Sequence, residues 1–235
     1  MSNVIEQFSR FAHHYNEHNL IQAKVAKALV ATVPDVEYEN ILDIGCGSGE
    51  VFKNLQEYNI SFQKLTVLDS SSAMLNIHPS RTKVIKTCAD FNNKDFLNTL
   101  PTKDYDILLS SSALQWSDNL EFTLEKLSTL SKTLYAAIFT SGTFKTLHQI
   151  ADVSSPIATS EAVQHNILKH YSDVTFTVHH YTLEFDSTRE MLKYIKKSGV
   201  SGGEKKLSYK QTRYLMETYP FDYLEFEVLF VEAKN

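Results

Sequence analysis

A doubly wound α/β fold around a mainly parallel sheet of seven strands is predicted by three features of this 235-residue chain. Short apolar runs alternate with helix-length segments through the first two thirds. Three of only seven glycines sit in one loop directly behind the first of those runs. The last third changes to longer β-prone stretches in which apolar and polar residues alternate.

Before the first strand, Phe8, Phe11 and Tyr15, then Ile21, Val25, Ala28 and Leu29, recur at helical spacing and predict one or two amphipathic helices. Parallel strands are expected at Ile41 to Ile44, Leu65 to Leu68, Val84 to Cys88, Ile107 to Leu109 and Leu134 to Phe139. Thr146 to His170 reads as helical and is longer than the fold requires. It is expected as a lid or substrate wall beside the strand ends. Phe176, Val178, Leu183 and Phe185, then Leu224, Phe226, Val228 and Phe230, predict two late strands closing one edge as an antiparallel pair. The expected organisation is one domain over 1–235, with a helical cap at 1–35, a cofactor-binding core at 36–145, and an insertion with the substrate-side C-terminal part at 146–235.

An apolar content of 43% supports a substantial core. No apolar run approaches the roughly 20 residues of a membrane span, and Met1 to Arg10 lacks the basic-then-apolar layout of a signal peptide. A cytoplasmic protein without membrane contact is expected. Cys46 and Cys88 are too few for a disulfide framework or a thiolate zinc site. The pairs His13-His14 and His179-His180 point adjacent side chains in different directions, so neither pair chelates a metal by itself. A net charge of -5 argues against nucleic acid as the partner. Between Arg189 and Arg213, however, eight basic residues stand against two acidic ones, a local +6 that leaves -11 elsewhere. That segment is either a solvated helix face or a docking surface for an acidic partner.

The glycine loop carries the chemistry. A dinucleotide site would need a third glycine at position 50, where Glu50 would place a carboxylate against a pyrophosphate. A P-loop would need a following lysine, and none is present. What remains is Asp-x-Gly-x-Gly-x-Gly, formed by Asp43, Gly45, Gly47 and Gly49. It resembles motif I of the class I S-adenosylmethionine (SAM) methyltransferases, whose cofactor has no phosphates. A glycine turn that only packs a helix on the sheet is the other reading. Ligands of open parallel sheets sit at the carboxyl ends of the strands. Asp69 and Ser70 end strand two, twenty residues after Gly49, where a carboxylate can accept from two ribose hydroxyls. Asp90 and Phe91 end strand three, placed for an adenine amino group and ring nitrogen. Met74 is placed to pack on the base, and Ser110 at the end of strand four completes the set. Asp69 and Asp90 also suit helix caps, and Met74 also suits the core.

Further segments narrow the likeness: Phe8 to Tyr15 with His18 and Gln22, Ala113-Leu114-Gln115-Trp116, Thr143 to Gln149, Leu192 to Gly199, and Leu207 to Gln211 with the closing Leu224 to Phe230 stretch. Over nearly its whole length the chain resembles the malonyl-(acyl-carrier protein) O-methyltransferases of biotin synthesis. It departs from them where Leu130 to Thr133 replaces a Pro-Gly-Gly turn and where Gly199-Val200 replaces Gly-Ala. The resemblance implies a Rossmann-like fold, SAM as cofactor without a metal, and methyl transfer to the free carboxylate of a malonyl thioester. The partner implied is an acyl carrier protein carrying malonyl, or malonyl-coenzyme A, with the basic segment 189–213 as docking face. A half-acid carboxylate with a pKa of roughly 3 to 4 is ionised at neutral pH and needs no general base. Tyr15 and Gln115 are then expected to orient it, Trp116 to form an apolar lid with Phe11 and Tyr15, and Lys196 to attract it. Trp116 also suits a space-filling role under the insertion. Methylation of another small carboxylic acid, and a non-catalytic SAM-binding regulatory role, are the alternatives.

Overall fold

The computed structural model describes residues 19–198 and 207–235, and at 196–198 the backbone alone. Phe8, Phe11, His13, His14, Tyr15 and the Gly199-Val200 pair lie outside the described residues.

Helix α1 (Leu20–Val30) precedes strand β1 (Tyr38–Ile44), then come α2 (Glu50–Glu57), β2 (Phe62–Asp69), α3 (Ser72–Ile77) and β3 (Val84–Cys88). Strand β4 (Ile107–Ser111) leads through a short 3-10 turn at Leu114–Trp116 into α4 (Leu120–Ser128) and β5 (Thr133–Phe139). Helices α5 (Lys145–Ala151) and α6 (Ser160–Leu168), strand β6 (Asp173–Glu184), helices α7 (Thr188–Ser198) and α8 (Tyr209–Thr218), and strand β7 (Tyr223–Lys234) complete the described chain. The seven strands form one sheet in the order β3-β2-β1-β4-β5-β7-β6. The first five pair in parallel. β7 lies antiparallel between β5 and β6, so the two late strands close one edge as expected.

Period-two alternation divides the core between the two faces of this sheet. Ile41, Ile107, Leu109, Tyr135 and Phe226 turn to one face, where Ile21, Val25 and Leu29 of α1 and Phe52 and Leu55 of α2 cover them. Leu42, Ile44, Leu108, Ala136 and Leu229 turn to the other, under Leu124 and Leu127 of α4 and Val163 and Ile167 of α6. Each of these aliphatic side chains leaves water almost completely, a gain of roughly 1.5 to 3 kcal/mol apiece before conformational entropy is subtracted.

The insertion corrects one expectation. It forms two helices, not a lid: α5 buries Leu147 and Ala151 with the first face and α6 buries Val163 and Ile167 with the second. Asp152 in the left-handed region ends α5. Glu225 and Glu227 of β7 hold its start, Glu225 by accepting from the Thr146 N–H and hydroxyl at 2.9 and 2.8 Å and Glu227 by accepting from the Thr140 hydroxyl. No residue of 146–170 reaches the cavity described below, because its apolar residues are committed to the sheet.

Strand order reverses between β1 and β4, where the outgoing connections leave for opposite faces and open a crevice at the carboxyl ends.

Candidate cofactor and active site

The glycine loop crosses this crevice. The N–H groups of Gly45 and Cys46 both donate to the Leu68 carbonyl, at 2.7 and 3.0 Å, which draws the loop over the end of β2. Gly45, Gly47 and Gly49 have φ of 70°, 51° and 91°, a region closed to most side chains. Their surroundings differ. A Cβ on Gly45 would stand 2.2 Å from the Ala113 Cβ, and one on Gly49 would stand 2.8 Å from the His78 ring. A Cβ on Gly47 would meet nothing within 4 Å, because that residue faces a cavity.

The cavity holds about 970 Å³ of empty space, counting its open mouth. On the β2 and β3 side it is lined by Asp69, Ser70, Met74, Asp90 and Phe91. The Asp69 carboxylate accepts from the Gly47 N–H at 2.9 Å and from the Ser71 N–H at 2.8 Å. A carboxylate offers about four acceptor positions, so this one fixes the loop and still has capacity for a ligand. Burial pushes its pKa up, against the pull of those two N–H donors. Asp90 accepts from the backbone and side-chain N–H groups of Asn92 at 2.9 and 3.0 Å. Met74 is buried and lines the wall.

Four predicted residues are placed elsewhere. Ser110 is fully buried and donates to the Ile44 carbonyl at 3.0 Å, tying β4 to β1; its neighbours Ser111 and Ser112 line the cavity instead. Gly49 packs behind the loop against His78. Gln115 donates its side-chain N–H to the Ser112 carbonyl at 2.7 Å and is not a lining residue, so it shapes the turn rather than offering a donor to substrate. Trp116, half-buried, does reach the rim.

Asp43 is the fourth. It shares the face of Ile41, is fully buried beneath the loop, and neither carboxylate oxygen has a hydrogen-bond partner among the described residues. Burial, then the charge of Asp69, pushes its pKa up to about 8 from 3.8. The folded state therefore holds this proton more tightly than the unfolded chain. The stabilisation is fully present below pH 3.8 and is lost as pH rises through about 8, with a slope of at most about 1.4 kcal/mol per pH unit. Thermal melts of the ligand-free protein between pH 5 and 8.5 should show stability falling with pH, and Asp43→Asn should remove most of that fall. An unchanged slope in the variant would assign the effect to other groups.

Tyr15 lies outside the described residues, and the side chain of Lys196, on α7, is likewise not described. Residues that sequence reasoning did not assign to the cofactor also line the cavity, among them Asn19, Gln22, Ser48, Ser111, Ser112 and Asn92. Gln22 belongs to one of the segments that carry the family likeness; no local motif marks the others, since polar residues at helix and strand ends are commonplace.

The charged residues among the described lining are Glu50, Asp69 and Asp90, with no lysine, arginine or histidine beside them. Three carboxylates repel a phosphate and attract a sulfonium and an ammonium, so the donor set fits SAM. A family model described as a methyltransferase domain matches residues 42–133, the stretch from β1 to the start of β5. The chain is a SAM-dependent methyltransferase with the class I fold.

Among the proteins it is similar to are several named malonyl-[acyl-carrier protein] O-methyltransferase. The protein of that name from Haemophilus influenzae is 25% identical over 230 residues, covering 95% of this chain and 85% of the relative. That of Brevibacillus brevis is 23% identical, covering 98% and 95%. That of Enterobacter lignolyticus is 30% identical over 126 residues, a match spanning 53% of this chain and about half, 47%, of the relative. The fold is shared with the YcgJ protein of Bacillus, at a TM-score of 0.65 and 11% identity over 90% of this methyltransferase and 98% of that chain. It is shared also with the plantazolicin methyltransferase BpumL in complex with SAH, at 0.56 and 15% over 99% and 94%. Among the described residues no cluster of metal-ligating side chains is present and no helix is long and apolar enough to cross a membrane.

Proposed function

We propose that this methyltransferase converts the free carboxylate of a malonyl thioester, carried by an acyl carrier protein, into its methyl ester, the step that opens the pimeloyl part of biotin. The observation that carries this reading is the near full-length similarity to proteins named for that reaction. When bound, SAM supplies an electrophilic methyl group whose C–S electron pair returns to sulfur as the new O–CH3 bond forms.

The chain's own contribution is binding, alignment and exclusion of water. Asp69 holds the glycine loop and the ribose, while Asp90 and Phe91 hold the adenine. Trp116 supplies an apolar rim that removes water from the attacking oxygen, and Tyr15 orients that oxygen in line with the S–CH3 bond. Lys196 attracts the substrate from a distance, since a close cation would stabilise the starting carboxylate more than the transition state, where charge is disappearing. No group has to remove a proton.

The basic segment is the proposed carrier-protein docking face, in the cytoplasm. Arg189 and Lys193 are exposed one turn apart on α7, and Lys210 and Arg213 are exposed on α8, where Arg213 also pairs with Glu217. Tyr209, 84% exposed, and Tyr214 add apolar contact beside them. Such a surface steers an acidic partner and makes the encounter salt-sensitive.

Transfer of labelled methyl from SAM is the test. Malonyl-acyl carrier protein should be labelled faster than malonyl-coenzyme A or free diacids, with the rate falling several-fold as salt rises. Labelling of a free diacid alone would replace the reading with another carboxylate methyltransferase. SAM binding without any labelling would leave a non-catalytic cofactor-binding protein.

A further inference from the structure

Two loops that leave strands far apart in the sheet are joined by one side chain. β3 and β4 are separated by β2 and β1, yet the loop after β3 and the turn after β4 line the same cavity. Among the described residues no backbone hydrogen bond ties residues 89–95 to residues 112–118. Asn92 makes the connection. Its backbone N–H and its Nδ2 group both donate to the Asp90 Oδ1 atom, at 2.9 and 3.0 Å. Its Oδ1 atom accepts from the Asp118 N–H at 2.8 Å, across 26 residues of chain. Nδ2 also lies 3.5 Å from the Trp116 carbonyl oxygen, a weaker contact. An amide side chain carries two donor hydrogens and an acceptor oxygen, and Asn92 uses both kinds of group at once.

The bond from its N–H to Asp90 is by itself an ordinary local turn. The bond to Asp118 is not local, and it links parts of the site with different tasks. With Oδ1 held twice, the Asp90 carboxylate has a fixed orientation, and no described residue donates to its Oδ2 atom. That oxygen is left for the adenine amino group. On the other arm Trp116 lines the rim, and its own N–H bonds only within its turn, to the Ala113 carbonyl at 3.0 Å. Asn92, half-buried, lines the cavity too. Hydrogen bonds linked in series order one another, so a ligand that fixes Asp90 also restrains what Asn92 holds.

We infer that Asn92 is a positioning residue that joins the adenine-binding carboxylate of Asp90 to the Trp116 rim, so that cofactor at the nucleoside end steadies the substrate side of the cavity. The inference rests on the reading of Asp90 as the adenine contact and of Trp116 as the water-excluding rim. Trp116 is the only tryptophan of the chain, so its emission reports on the rim alone. The full chain, Asn92→Ala, Asn92→Asp and Asp90→Ala would be titrated with S-adenosylhomocysteine by calorimetry. Quenching of Trp116 by acrylamide would be measured for each, without ligand and at saturation. In wild type the ligand should lower the quenching constant about 2-fold or more as the rim becomes ordered. Asn92→Ala should bind about 5-fold or more weakly and leave Trp116 nearly as accessible with ligand as without, since both arms are cut. Asn92→Asp keeps an acceptor for the Asp118 N–H but sets a second carboxylate against Asp90. It should restore the shielding of Trp116 without restoring affinity, a split that a purely structural residue would not give. Wild-type affinity and shielding in Asn92→Ala, or quenching that ligand leaves unchanged in wild type, would overturn the inference. Asp90→Ala separates it from the reading beneath it. Wild-type affinity in that variant would place the adenine elsewhere and remove both, whereas a loss there beside an unaffected Asn92→Ala would remove the bridge alone.

Discussion

Asp69→Ala should lower the affinity for S-adenosylhomocysteine by about 100-fold or more while the protein still folds. The carboxylate joins two parts of the site: it accepts from the Gly47 N–H at 2.9 Å and the Ser71 N–H at 2.8 Å, and it lines the cavity on the β2 side. Hydrogen bonds to a charged acceptor carry roughly 1.5 to 3 kcal/mol each. Losing the ligand contacts and loosening the loop together accounts for about 3 kcal/mol, or ~100-fold. Asp69→Asn keeps one acceptor oxygen and should fall between wild type and alanine. Calorimetric titration beside circular dichroism separates the two effects. Wild-type affinity in Asp69→Ala would mean that the cofactor does not use this edge of the cavity.

The second large effect separates two glycines of one loop. Gly45→Ala should destabilise the protein by about 3 kcal/mol or more, since it combines left-handed strain of roughly 1 to 2 kcal/mol with a Cβ placed 2.2 Å from the Ala113 Cβ, where backbone must move. Gly47→Ala should cost only about 1 kcal/mol of stability, because its Cβ meets nothing within 4 Å. The open space that spares the fold is the cavity, so Gly47→Ala should instead lose cofactor affinity. Chemical denaturation and S-adenosylhomocysteine titration of both variants give the two readings. If both lose stability equally, the loop is a packing turn and not a ligand cradle.

The same loop shows how far local pattern reached. Asp-x-Gly-x-Gly-x-Gly behind an apolar run marked a strand, a tight turn and a ligand, and the left-handed glycines follow from that spacing. The carboxylate at the end of β2 was legible for a similar reason, as an acid where a buried strand meets the ligand edge. Asp43 was not. Its place in the motif suggested a ligand contact, but the parity of β1 turns it under the loop, where burial makes it a proton holder. Ser110 and Ser111 are adjacent and identical in type, and only the pleat decides which one ties β4 to β1 and which one faces the cavity.

By itself the sequence determined the class of fold, the strand positions, the late antiparallel pair and the acidic, phosphate-free character of the cofactor site. Those properties are carried by hydrophobic period, glycine spacing and charge, which act between residues close in the chain. Tertiary structure alone decided that the insertion covers the sheet instead of the site, that Gln115 holds a turn, and that Asn19, Gln22, Ser111 and Ser112 line one cavity. α1 and β4 are separated by more than 75 residues, and only the packing of α1 on the sheet brings their polar groups to one cavity. Which unpaired atoms meet there depends on helix position and strand order together, and neither is written in any short stretch of the chain.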